Sequence, residues 1–107
     1  TDAQQDSEAT QLWRRGSESL DDGGFHLCAE AVLHCRKLYV VLGDEGSKAV
    51  RRFAKEQLNK DDHDVDACTV ESFFLLSEGG AAAALPLVSR SLARLVESRS
   101  SDAWRHR

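Results

Sequence analysis

"GGAAAALPLVSRSLARLVES", Gly79 to Ser98, decides how this chain folds, because it reads either as one long helix or as a short element that ends where a helix begins. Alanine is the best helix former, so propensity alone would run a helix on from Ala81. Pro86 argues against that continuity: its ring fixes φ, clashes with the preceding turn and pushes Leu85 toward an extended conformation, so proline suits the first turn of a helix. The sequence therefore predicts a helix that begins at Pro86. Beyond it, Val88, Leu92, Leu95 and Val96 recur with helical period, while Arg90, Arg94 and Arg99 lie mostly off that stripe. Gly79 to Leu85 is then a separate, small-chained element, and its nature depends on what precedes it.

Working upstream, "CTVESFFLLSEGG" reads as a strand over Cys68 to Ser77, with Gly79-Gly80 as a turn signal. "KLYVVL" (Lys37 to Leu42) is a short run of β-branched and aromatic residues, read as a strand buried on both faces. Between them, Ser47 is a candidate cap for a helix whose apolar positions Val50, Phe53, Ala54 and Leu58 follow the i, i+3, i+4, i+8 pattern, ended by "NKDDHD". "FHLCAEAVLHC" (Phe25 to Cys35) is a candidate short helix, since Leu27, Ala31 and Cys35 share a face. If the alanine element pairs with the second strand, the order becomes β-α-β-β-α-β, an α+β fold with one ferredoxin-like antiparallel sheet and two helices on one face.

With 107 residues the chain has room for one modest core, and 41% hydrophobic with 30% charged residues is ordinary for a soluble globular protein. Asp2, Asp6, Glu8, Glu18, Asp21 and Asp22 against Arg14 and Arg15 account for the whole net charge of −4. Residues 1–24 therefore read as a flexible acidic arm with one helical turn around Trp13, and residues 25–107 as the folded domain. A nucleic-acid partner would need a clustered basic face, which is absent from this pattern. No apolar run approaches the ~18 residues that span a membrane, and no basic-then-apolar leader opens the chain. Thr1 in place of Met reads as a removed leader or a fragment.

Cys28, Cys35 and Cys68 make an odd count, giving one bridge and a leftover thiol in an oxidising compartment, or three reduced residues in the cytosol. Cys28 or Cys35 with Cys68, and Cys28 with Cys35, are the candidate disulfides. No C-x-x-C or H-x-x-x-H spacing supports zinc, and "DDHDVD" (Asp61 to Asp66) lacks the Gly and terminal Glu of a calcium loop. No His stands in a catalytic spacing with Ser or Cys, so no catalysis, cofactor or metal is expected.

From residue 37 to 107 the chain resembles the propeptides of subtilisin-like serine proteases and the stand-alone inhibitors built like them. The resemblance lies in "LYVVL", the helix "SKAVRRFAKEQL" and the run "GGAAAALPLVSRSLARLVESRSSDAWRHR". The family's aromatic residue after the turn glycine is missing, and "DAWRHR" replaces its usual last strand. The upstream Cys-bearing segment and acidic arm resemble secreted apicomplexan microneme proteins that imitate such a propeptide. The resemblance implies a monomer, secreted or held in a secretory organelle, that binds and inhibits or chaperones a subtilisin-like protease. It would dock the open face of its sheet, through Phe73 and Leu75 or else Phe74 and Leu76, and thread Ala103, Trp104, Arg105, His106 and Arg107 through the substrate cleft. Trp104 would anchor that contact, and Glu78 would meet a helix N-terminus of the enzyme. Two alternatives are a parvulin-like prolyl isomerase, another small α/β domain in which Cys and His line a pocket, and a helical adaptor, which would require both "KLYVVL" and "ESFFLL" to be helical against their β-branched and aromatic content.

Overall fold

A computed structural model describes residues 2–34 and 45–105, and within them the chain is five helices: α1 (Asp2–Glu18), α2 (Asp22–His34), α3 (Glu45–Lys60), α4 (Val65–Ser77) and α5 (Ala81–Arg105). No strand occurs among the described residues, so the expected α+β, ferredoxin-like sheet is overturned. The strand expected over Lys37 to Leu42 lies outside the described residues.

The misread element is α4. A run apolar on every side suits a strand buried on both faces and a helix buried all round equally well, and only length separates them. Here the run belongs to 13 helical residues that pack on α2, α3 and α5. The sequence did carry the start signal: Asp64, in extended conformation, accepts a hydrogen bond from the Ala67 N–H at 2.9 Å, an N-cap. The Gly-Gly pair is a helix stop rather than a hairpin turn. Gly79 takes φ +80°, its N–H bonds to Leu76 O at 3.1 Å, and the Gly80 N–H bonds to Leu75 O at 2.7 Å, the paired bonds of a Schellman cap.

Pro86 sits inside α5, not at its start. The first turn-closing bond of that helix runs from the Ala84 N–H to Gly80 O at 3.0 Å. Proline in the second turn removes the bond that Ala82 O would receive. Both Ala82 and Pro86 are exposed, so that carbonyl is not stranded in a dry interior and the alanine run keeps its helical preference.

The acidic arm expected over residues 1–24 is instead α1 and the start of α2. Ala9 and Trp13 are each 2% exposed, packed with Phe25, Cys28, Val50, Val70 and Phe74 in one core. Trp13 meets the rings of Phe73 and Phe74 at 5.5 and 5.8 Å, while Phe25 meets Phe53 at 4.8 Å. Two glycines set the α1–α2 approach. A Cβ on Gly16 would run into the Gly24 carbonyl oxygen and come within 2.7 Å of Cys28 Sγ. One on Gly24 would run into the Ser19 carbonyl oxygen and come within 2.8 Å of Gly16 O. The α3 stripe lies as read, with Val50 and Ala54 fully buried and Phe53 and Leu58 packed against the core, although the helix starts before Ser47.

Candidate functional site

The feature that distinguishes this surface is an apolar groove of about 550 Å³ that no other described residue covers. Its floor is α4, through Val65, Thr69, Ser72, Phe73 and Leu76; one wall is Val32 and Leu33 of α2, and the other is Val88, Ser91, Leu92 and Leu95 of α5. No charged residue lines it. Its four hydroxyls are already committed: Thr69 donates to Val65 O at 2.8 Å, Ser72 to Thr69 O at 2.9 Å, Ser77 to Phe73 O at 2.9 Å and Ser91 to Val88 O at 3.1 Å. An apolar ligand can therefore cover the groove without stranding a hydroxyl donor, the usual cost of burying polar groups.

The groove exists because α5 is half covered. Among the described elements α5 packs on α4 alone, burying Ala84 and Leu87, and Arg94 of α5 pairs at 3.3 Å with Asp61 in the α3–α4 turn. Leu33 stays 66% exposed, Leu76 56%, Leu92 57% and Leu95 48%, with Leu85 and Val96 exposed beside them. Contiguous large apolar residues left in water mark a contact surface, whereas isolated ones do not.

A second depression, about 620 Å³, lies between α3, α4 and α5 and is charged, with Arg51, Lys55, Glu71 and Arg90 on its lining. Arg51 is engaged there. It donates through Nε to Glu71 at 3.0 Å and through both terminal nitrogens to Glu78, and its guanidinium lies 5.3 Å from the Phe74 ring centre. The Arg51 hydrogen bonds hold the Glu78 carboxyl below its usual range. Glu71 is 5% exposed, and its second oxygen has no hydrogen-bond partner among the described residues.

Neither described cysteine is prepared as a nucleophile. Burial pushes the Cys28 thiol up to about 12, and its Sγ donates to Trp13 O at 3.6 Å. Burial also raises Cys68, whose Sγ donates to Asp62 O at 3.5 Å. Protonated, buried thiols are poor nucleophiles. Both are free, which removes each of the three expected disulfide pairings, since every one uses Cys28 or Cys68; Cys35 itself lies outside the described residues. His26 bonds to Asp66 at 2.8 Å and His63 to Asp62 at 2.7 Å, so both face carboxylates rather than Ser or Cys. Asp61, Asp62 and His63 bring ligand-type atoms within 4.8 Å of one another, but Asp61 already accepts from the His63 N–H and from Arg94.

Of the expected protease-contact residues, the pair Phe73 and Leu75 does not share one surface. Phe73 lies in the groove floor against Trp13, while Leu75 lines the charged depression. Glu78 caps α4. Ala103, Trp104 and Arg105 fall in the last turns of α5 rather than in a strand, and His106 and Arg107 lie outside the described residues. The alternating pairs lose their meaning because successive residues on a helix turn by about 100°, not 180°. Leu33, Leu92 and Leu95 are site residues that sequence reasoning did not assign to a contact surface, whereas Phe73 and Leu76 were named as docking candidates from opposite alternating pairs. The stripe Val88, Leu92, Leu95 was legible as helical, but periodicity does not say whether a stripe meets its own core or another molecule.

No family model matches this chain, and comparison with curated proteins and with solved structures likewise finds no match. No helix among the described residues is long and apolar enough to cross a membrane.

Proposed function

We propose that this chain is a helical protein-interaction module whose α2/α4/α5 groove receives one amphipathic helix of a partner. The observation that carries this reading is the groove itself: uncharged, walled by two helices, floored by a third, and with every lining hydroxyl bonded to its own helix. Helix-in-groove recognition uses anchors at i, i+3 or i+4, and i+7, which a groove between two helices accepts as a further helix in the bundle. Charged anchors are disfavoured, because no group in the lining pairs with them.

Inhibition of a subtilisin-like protease in a secretory compartment rests on the resemblance of residues 37–107. Its sheet-docking route has no counterpart in this geometry, because Phe73 and Leu75 belong to a helix.

The test is a fluorescence-anisotropy titration of the protein against a labelled amphipathic helical peptide with leucines at i, i+3 and i+7. A charge-matched peptide with those leucines replaced by glutamine serves as control. Saturable binding of the leucine peptide, weakened at least tenfold by Leu76→Glu at unchanged circular dichroism, supports the module. Equal binding of both peptides, or indifference to Leu76→Glu, sinks it.

A further inference from the structure

We infer that the helix entering the groove is α5 of a second copy, so that the chain forms a two-fold dimer through antiparallel α5 helices; this rests on the helix-binding reading above and names its partner. The argument starts from the width of the apolar arc. At about 100° per residue, α5 is apolar from Leu87 and Ala84, through Leu95 and Val88, to Leu92 and Leu85, roughly half its circumference. A helix with one neighbour needs a narrower stripe. Here α4 covers only the Leu87 and Ala84 edge, while Leu85, Leu92 and Leu95 remain 65%, 57% and 48% exposed.

A pair of antiparallel α5 helices accounts for the whole arc. Each lies beside the other and also in the angle between the other's α5 and α4, which is the groove. Every α5 then has four neighbours: its own α4, the second α5, and the second copy's α4 and α2, whose Val32 and Leu33 wall the groove. The middle of the arc faces α5 of the other copy, and its far edge faces the other α4, around the exposed Leu76. The groove and the helix that fills it thus belong to one surface, which a two-fold interface requires, since the same patch must complement itself.

Spacing supports the same register. Leu85, Val88, Leu92 and Leu95 run 3, 4, 3, the seam of a helix pair packed at a shallow angle. About a two-fold axis level with residue 90, Leu85 of one copy comes opposite Leu95 of the other, and Val88 opposite Leu92. The residues beside the stripe near that axis are Ser89 and Ser91, small enough for close approach. The charges of this stretch, Arg90, Arg94 and Glu97, lie on the opposite side of the helix, and Arg94 is held by Asp61. Like charges are therefore kept out of the seam. Antiparallel alignment also sets the two helix dipoles head to tail.

Sedimentation equilibrium of the full chain over 1–100 μM (about the range that separates micromolar dimers from monomers) tests this, with Leu92→Glu beside it. Expected are a dimer for the unaltered chain and a monomer for Leu92→Glu of equal helicity, because an exposed position tolerates a charge in the monomer but not in the seam. A dimer that survives both Leu92→Glu and Val88→Glu overturns the assignment of the interface. A chain monomeric at every concentration overturns the dimer; if that monomer still binds the leucine peptide, the helix-binding module stands with a different partner, and if it does not, both readings fall.

Discussion

The two ends of this molecule solve the same packing problem differently. At one end α1 and α2 are sealed to each other through Gly16 and Gly24, and the Trp13 side chain runs into the centre of the core. At the other end α5 is the longest described helix and, among the described elements, rests on α4 alone, with half its apolar arc exposed. The first arrangement is complete within one chain. Among the described residues the second is left uncovered, and that contrast points to where function lies.

The contrast breaks most sharply at Trp13. Trp13→Ala removes the ring that joins α1 to Phe73 and Phe74, and is expected to cost about 3–5 kcal/mol in chemical denaturation. A cost below 1 kcal/mol would mean that α1 is a dispensable arm after all. Gly24→Ala comes next. Its Cβ meets backbone oxygens that no rotamer change can move, so about 1–3 kcal/mol is expected, with the loss seen as a lower urea midpoint. An unchanged midpoint would show that α1 and α2 shift apart freely.

Leu92→Glu, by contrast, should leave the stability of the isolated monomer within about 0.5 kcal/mol, because the residue is 57% exposed there. Measured at a concentration low enough to dissociate any assembly, a loss above 2 kcal/mol would place Leu92 in a core. The smallest expected effect is at His26. Its hydrogen bond to Asp66, helped by Glu30, raises its pKa above 6.5, so the folded chain holds that proton more tightly than the unfolded one. The stabilisation is fully present below about pH 6.5 and is lost as pH rises through the folded value. The His26 side chain is 56% exposed, so solvent screens most of it. A histidine-resolved NMR titration with His26 at or below 6.5 would remove the effect.

The helical stripes of α3 and of the second half of α5 were legible because amphipathic helices announce themselves by period. Val50, Phe53, Ala54 and Leu58 are such a case. Helix α1 was recoverable in principle, since Ala9, Leu12 and Trp13 share a face, but an acidic composition outweighed three apolar residues. Helix α4 was not legible by period. Phe73, Phe74, Leu75 and Leu76 point around the whole circumference, and the N-cap Asp64 was hidden in a run of acidic residues read as one turn. Pro86 misled for a related reason, because a proline's cost to a helix depends on whether the carbonyl it strands faces water.

What the amino-acid sequence determined alone was therefore local: which stretches are amphipathic, that "NKDDHD" ends the helix before it, and that net charge gathers at the N-terminal end. Tertiary structure decided the rest. Whether an all-round apolar run becomes a strand or a central helix depends on how many neighbours surround it, and whether an apolar stripe is core or contact surface depends on what lies against it. Burial is a property of pairs of elements, and no single segment contains it.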